Sequence, residues 1–509
     1  MRAWIAAALA LQGAFAGRVP PDDEKDPSCF AVTVVDEQTG RGVPLVELRT
    51  VNEIRCHTDS NGVAAFREPG LMNRRVFFSV KSHGYEFPAD GFGSRGAALE
   101  VKPGGQATLK IRRLNIAERL YRVTGQGIYR DSLLAGRPVP LKNPALNGQV
   151  LGQDSVQMVE YRGRLHWFWG DTNRPSYPLG HFGTAGATSA RPGDGGLDPS
   201  KGIDLAYFTD ATGFSRPMCA LPEPGMKWID GVAVVPDAEG KDRLVARFAR
   251  MKSLGEAYER GILAWNDGTD SLEPVSRSGP HEFPWPCCHA FRHQDHVYFA
   301  TPYPYVRVKA DLKSFADPRA YEAFTPLAAG GRYRKGAAAL ERGADGRAAW
   351  SWKKDTGPVW ENQEKELLAA GQVRPEEARY RLADAGTGKR VAAHNGSVAY
   401  NAFRRRWIMI LNESGGGPSY LGEVWYSEAE APEGPWLRAR KVVTHDKYTF
   451  YNVKHHPLFD QEGGRVIYFE GTYTAQFSGN PDPTPRYDYN QVMYRLDLSD
   501  PRLKMDTDR

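Results

Sequence analysis

The sequence predicts an all-β fold in two parts, an N-terminal β-sandwich followed by a five-bladed β-propeller with a short helical insertion. Three observations carry that expectation. Short runs of β-branched and aromatic residues alternate with Gly-, Asn- and Asp-containing turns along most of the chain, and a composition of 12 Trp, 23 Tyr, 22 Phe and 53 Gly in 509 residues supplies both. Residues 29–113 hold strand after strand with no competing helical period. Residues 120–509 repeat one strand plan five times, and repeats of three or four strands at this length are propeller blades.

Composition narrows the partners. Hydrophobic content of 41% and charged content of 25% suit a globular chain with a real core. The net charge of +5 comes from 66 basic and 61 acidic residues, too even a balance to create a field for polyanions, so nucleic acid is not an expected partner. At the N-terminus Arg2, an apolar run over 4–11 and Ala14-Phe15-Ala16 read as a secretory signal, residues 1–16, cleaved after Ala16. The run is too short to span a bilayer, and no later segment reaches the roughly 18 apolar residues a span requires. The mature chain is therefore expected to be secreted or periplasmic, without a membrane span, and monomeric. Five cysteines without a CxxC pair support neither a zinc ribbon nor a dense disulfide framework. Cys29 and Cys56 lie in one small region, either as a bridge formed after export or as two buried thiols.

In the first part, 30–35, 43–48, 76–80 and 107–111 read as strands, separated by turns at 36–40 and 58–62, where Asn61-Gly62 tolerates positive φ. The run Val35-Asp36, Thr39-Gly40, Gly42-Val43-Pro44, then Thr58-Asp59, Gly62 and Gly84-Tyr85, resembles the carboxypeptidase regulatory-like, transthyretin-like β-sandwich. That resemblance implies an accessory module. Peptide hydrolysis does not carry over, because the chain has no HxxE or HExxH zinc signature.

In the second part each unit opens on polar residues, runs through a short strand to a turn and returns on an aromatic-rich strand. The returns include Leu165-His166-Trp167-Phe168-Trp169, Val297-Tyr298-Phe299 and Val466-Ile467-Tyr468-Phe469-Glu470. The insertion at about 330–388 carries one helix near 360–370 and a second helical stretch at 375–382.

The openings of the units carry the functional signal. Asp154, Asp230, His289, His394 with Asn395, and His455 with His456 stand where an ordinary core strand would carry Val or Ile. First strands of propeller blades line the central channel, so these anchors are expected at one channel mouth. Paired carboxylates cleave glycosidic bonds, one protonating the leaving oxygen and one activating water or attacking the anomeric carbon. Asp154 and Asp171 lie at opposite ends of one predicted hairpin, which brings them together; Asp230, Glu423 and Glu470 are further catalytic candidates. Trp169, Trp228 and Tyr473 are candidate sugar-stacking residues, as are Trp285 and Tyr451. Arg174, Lys454 and Arg486 are candidates for meeting a charged substrate. His289, His394, Asn395, His455 and His456 complete the candidate binding set.

Residues 152–171, with an early Asp154 and a later Gly170-Asp171-Thr172, resemble secreted five-bladed glycoside hydrolases, in particular a bacterial endo-D-arabinanase family. The resemblance implies a catalytic pair at Asp154 and Asp171. The segment Gly422-Glu423-Val424-Trp425-Tyr426-Ser427 followed by Gly434-Pro435-Trp436 is similar to a blade edge of arabinanase-like and fructosidase-like propellers. The expected function is hydrolysis of a polysaccharide or oligosaccharide, furanose-containing in type, with no cofactor required. Two alternatives stay open: a non-catalytic glycan-binding propeller, and a metal-dependent lyase or hydrolase using the histidines. A channel Ca²⁺ or other divalent ion is compatible with the Asp and His anchors, with its ligands unknown.

Overall fold

The computed structural model describes residues 25–181, 183–281 and 287–505. The expected signal segment 1–16 and Trp285 lie outside them.

Residues 30–113 build two four-stranded sheets around one core. One sheet is ordered Val63–Phe66, Phe30–Asp36, Gln106–Arg113, Tyr85–Glu86, with the middle two strands parallel. The other is antiparallel, ordered Arg55–His57, Glu47–Thr50, Arg74–Lys81, Gly96–Val101. Alternation fills the space between them: Val76, Phe78 and Val80 point inward from one strand and meet Val32, Val34, Leu48 and Leu109. Gly62 sits at φ +75°, and a Cβ there would fall 2.5 Å from the Val34 carbonyl oxygen. The strand expected at 43–48 begins only at Glu47, because Pro44 has no N–H for a ladder and Leu45 takes φ +61°. Cys29 and Cys56 are both free thiols.

Five further sheets of four or five strands follow. Sheet 1 comprises Gln157–Tyr161, Arg164–Trp169, Ala185–Ala190 and Ala206–Tyr207; sheet 2, Met226–Pro236, Asp242–Ser253, Glu256–Asn266 and Ser271–Ser278. Sheet 3 comprises His289–His293, His296–Ala300, Pro304–Lys309, Glu322–Thr325 and Ser351–Lys354. Sheet 4 runs Ala393–Asn401, Arg406–Glu413, Val424–Ala429, Arg438–Val443, with Ala383–Asp384 added in parallel at its outer edge. Sheet 5 comprises Thr449–His455, Val466–Thr474, Asn490–Asp497 and Glu118–Arg122. Its last strand comes from the chain before sheet 1, so the final sheet is stapled to the beginning of the repeat region.

The cores show how the sheets are placed. Phe168 of sheet 1 packs with Leu244 and Phe248 of sheet 2. Val245 and Ile262 of sheet 2 pack with Val297 and Phe299 of sheet 3. Ala300 and Tyr303 of sheet 3 pack with Met409 and Trp425 of sheet 4. Ile408 and Tyr426 of sheet 4 pack with Phe450 and Phe469 of sheet 5. Tyr468 and Met493 of sheet 5 pack with Trp167 and Trp169 of sheet 1. Each sheet is thus buried on both faces by its two neighbours, and the succession returns to its start.

The insertion differs from its expected helical character. It holds the helix Glu361–Ala369, but 375–382 contributes only a 3₁₀ turn, Pro375–Glu377, because Pro375 opens it and the chain returns at once to extended backbone. It also lends the strand Ser351–Lys354 to sheet 3.

The two parts are joined by buried polar contacts. Arg119, fully buried, donates to the carbonyl oxygens of Pro44 and His83 at 3.0 Å each and to Ser82 Oγ at 2.5 Å. Tyr487 Oη donates to the Thr58 carbonyl oxygen at 2.5 Å.

Candidate active site

The first strands of the five sheets are laced together at one end. Trp228 Nε1 donates to Asp171 Oδ1 at 3.3 Å, joining sheets 1 and 2. Gly231 N donates to the Cys288 carbonyl oxygen at 2.8 Å, joining sheet 2 to the start of sheet 3. Thr301 Oγ1 donates to Asn395 Oδ1 at 3.5 Å, and Asn395 Nδ2 to Asn452 Oδ1 at 2.7 Å, joining sheets 3, 4 and 5. Asn452 Nδ2 donates to Ser155 Oγ and Tyr451 Oη to Asp154 Oδ2 at 2.6 Å, which returns to sheet 1.

A backbone feature repeats with this lacing. Ser155, Gly231, Cys288 and Asn452 take φ of +58°, +61°, +64° and +52° at corresponding points of four sheets. In sheet 4 the register breaks between Ala393 and Asn395. The residues just before these points are Asp154, Asp230, Cys287 and Tyr451, with His394 at the sheet 4 break. These residues share the laced end of the sheets. Two expected anchors are therefore displaced. His289 lies one residue past Cys288, inside the ring. His455 ends the strand Thr449–His455, three residues beyond Asn452, because the left-handed residue interrupts the ladder between Tyr451 and Lys454 and shifts the repeat.

The structure brings Asp154 and Asp171 together. Gln153 pairs with Thr172 in a small sheet (Gly152–Gln153, Thr172–Arg174, Tyr177–His181) that the repeat pattern did not reveal, and Gln157 pairs with Phe168 in sheet 1. Between those two ladders the strands part, leaving Asp154 and Asp171 in the gap. Asp171 N donates to Asp154 Oδ1 at 3.1 Å, and Gly170 N to the Asp154 carbonyl oxygen at 2.8 Å. Tyr489, on the loop between the second and third strands of sheet 5, adds a second hydroxyl to the Asp154 carboxylate.

The two carboxyls are held differently. Burial raises the proton affinity of both. For Asp154, hydrogen bonds from Tyr451, Tyr489, Ser155 and the Asp171 backbone act against burial. Asp171 is pushed up to about 6 by burial and by the charge of Asp154, with only the Trp228 indole N–H opposing. Two neighbouring carboxyls with divergent environments are the arrangement by which an acid and a base coexist near neutral pH.

The other candidates are distributed elsewhere. Asp230 is in an ion pair with Arg247 at 3.3 Å. Glu423 is fully buried between Ser419, Thr444 Oγ1 at 2.7 Å and Lys441 Nζ at 2.6 Å, a packing role away from Asp154. Glu470 is fully buried; its Oε1 meets His456 Nε2 at 2.7 Å, and burial pushes its carboxyl up to about 8. Trp169 is not a sugar shelf: it is 1% exposed, stacked on Trp167 in the core between sheets 5 and 1. Arg174 lies over the Phe214 ring, 5.4 Å from its centroid. Tyr473 is buried, stacked on Tyr448 at 4.1 Å and bonded to His83 Nε2 at 2.9 Å, beside a cleft of about 410 Å³ between the N-terminal sheets and sheet 5. Trp228 and Asn395 belong to the same hydrogen-bonded lacing as Asp171 and Asn452, and His394 is exposed against Asn412.

The candidate histidines have separate partners. His455 Nε2 faces Asp460 at 2.8 Å, and His456 faces Glu470 and the Trp167 ring. Among the described residues no group of three or more His, Cys, Asp and Glu is placed to hold a metal ion. His289 is 4% exposed with neither ring nitrogen hydrogen-bonded. Burial, and after it the charge of Lys454, hold its proton affinity well below the ordinary imidazole range. Burial brings Lys454 down to about 8.

Tyr489 and Asn452 were missed as site residues. The signal available was weak: Tyr489 lies in the polar run Arg486-Tyr487-Asp488-Tyr489-Asn490, and only the sheet 5 topology carries that run to Asp154.

No family model matches the chain, and no curated protein matches it. Among solved structures the chain is similar to an exo-β-1,3-galactanase from Phanerochaete chrysosporium, at 9% identity and a TM-score of 0.36 over 75% of this chain and 65% of that one. It is similar to an exo-1,5-α-L-arabinanase from a bovine ruminal metagenomic library, at 10% identity and a TM-score of 0.32 over 68% of this chain and 93% of that one. It is also similar to a GH43_1 enzyme from Xanthomonas citri in complex with xylose, at 11% identity and a TM-score of 0.35 over 69% of this chain and 88% of that one. The chain spans about two-thirds of the length of the galactanase it matches.

Proposed function

We propose that the five sheets are the blades of a closed propeller and that the protein is a glycoside hydrolase working at the mouth of its channel. The observation that carries this reading is the Asp154–Asp171 pair, locked together by the Asp171 N–H on Asp154 Oδ1. Asp171, raised to about 6, keeps a proton for the leaving oxygen. Asp154, held by two tyrosine hydroxyls and a backbone N–H, acts as the ionised partner that activates water or attacks the anomeric carbon. Trp228 orients the acid, while Asn395 and His394 offer polar contacts to sugar hydroxyls. The chemistry needs no cofactor. The substrate is a polysaccharide or oligosaccharide, furanose-containing in type, and the sandwich is a carboxypeptidase regulatory-like accessory module. The protein acts as a secreted or periplasmic monomer.

The test is incubation of the purified protein with arabinan, galactan, xylan and related polysaccharides, with release of reducing ends as the readout. Cleavage that Asp154→Asn and Asp171→Asn both abolish supports the reading. Binding without cleavage on the whole panel favours a glycan-binding propeller. Cleavage that both variants retain refutes the assignment.

A further inference from the structure

Two adjacent cysteines stand at the mouth where other sheets place Asp154, Asp230 and Tyr451. Cys287 and Cys288 have their sulfurs 3.5 Å apart. Neighbours on an extended strand ordinarily project to opposite faces; here Cys288, at φ +64°, turns the chain so that both thiols meet. Cys287 Sγ lies 2.7 Å from Tyr305 Oη, and the Arg247 guanidinium, paired with Asp230, is close enough for its charge to act on both thiols. The Cys288 carbonyl oxygen accepts from Gly231 N, which ties this peptide to the strand carrying Asp230. Both residues are half-buried, whereas Cys29 and Cys219 are buried. The acid–base chemistry at Asp154 and Asp171 makes no use of either thiol.

We propose that Cys287 and Cys288 form a redox-active vicinal dithiol, a modification site that closes into an intrachain disulfide by exchange with a small disulfide such as oxidised glutathione. The Cys287 thiolate attacks one sulfur of the small disulfide, forming a mixed disulfide and expelling one thiolate. The deprotonated Cys288 then attacks the Cys287 sulfur, forming the Cys287–Cys288 bond and expelling the second thiolate. The two protein thiol protons end on the two leaving thiolates, so the dithiol is oxidised and the small disulfide is reduced to two thiols. Cys287 is the attacking group: the hydrogen bond from Cys288 and the Arg247 charge favour its thiolate, while Cys288 holds its proton far more tightly. Closure draws the sulfurs together at a peptide hydrogen-bonded to Gly231, so the redox state reaches the mouth through the Asp230–Gly231 segment.

The experiment treats the reduced full-length protein with a graded series of oxidised and reduced glutathione, quenches in acid, unfolds, alkylates with iodoacetamide and measures the peptide bearing both cysteines by mass spectrometry. The expected product has lost two hydrogens, carries no label and reverts in reduced glutathione, while Cys29 and Cys219 take up label throughout. Cys288→Ser is expected to trap glutathione on Cys287 as a stable mixed disulfide, and Cys287→Ser to react several times more slowly. Full labelling of both cysteines under oxidising conditions, or glutathione retained on the wild-type pair, would overturn the proposal. Limiting iodoacetamide on the native reduced wild type gives a reading independent of variant folding: labelling of Cys287 ahead of Cys288 supports the proposal, and equal labelling overturns it.

Discussion

Replacing Tyr451 by Phe removes one hydroxyl and little else. That hydroxyl donates to Asp154 Oδ2 at 2.6 Å, while Tyr489 and the Asp171 N–H remain to hold the carboxylate in place. A hydrogen bond to a charged group is worth about 1.5–3 kcal/mol. Each unit of pKa corresponds to about 1.4 kcal/mol, so losing the bond raises the proton affinity of Asp154 by about 1–2 units. Burial already raises it, and the change acts in the same direction. The acid limb of kcat/KM, which reports ionisation of Asp154, should therefore move to higher pH by about 1–2 units, with the plateau changed far less. The assay is kcat/KM on a cleaved glycan across the acid-to-neutral range, with a thermal melt of each protein. A limb that stays in place, or a loss equal at every pH, would refute the role given to Asp154.

Two further outcomes follow from the same geometry. Asp171 is raised to about 6 against 3.8 in the unfolded chain, so the folded state binds its proton more tightly; that stabilisation is complete below the unfolded value and is lost as pH rises through about 6. Asp171→Asn should then be more stable than wild type at pH 8 by about 3 kcal/mol, with the difference vanishing as pH falls toward 4, as thermal melts at both pH values would show. Arg119→Ala should lower stability by at least about 2 kcal/mol in urea unfolding, because its three acceptors on the sandwich lose a charged donor; an unchanged midpoint would mean that the sandwich sits loosely on the ring.

Much of the architecture was legible because strand signals are local. The aromatic returns, such as Val297-Tyr298-Phe299, became second strands as read. Face assignment was not legible. Trp167 and Trp169 share one face of a strand, and alternation does not tell a channel-facing row from a buried one when neighbouring sheets cover both faces. Register is hidden at left-handed residues: Asn452 breaks the ladder of its strand, so polar His455, not Tyr451, looks in sequence like the strand opening. Asp154 and Asp171 were found because a hairpin joins them in sequence. Tyr489 was not, because it reaches Asp154 from the far end of the chain.

The most direct test of the central claim separates the two carboxyls by leaving group. Wild type, Asp154→Asn and Asp171→Asn would be compared on a natural glycan and on an aryl glycoside of the same sugar, whose phenolate departs without protonation. If Asp171 is the acid, Asp171→Asn loses about 10²–10⁴ in turnover on the glycan and recovers most of it on the aryl glycoside in the glycosidic bond-breaking step, whereas Asp154→Asn is impaired on both. Equal losses for Asp171→Asn on the two substrates, or full activity of either variant on the glycan, would contradict the account.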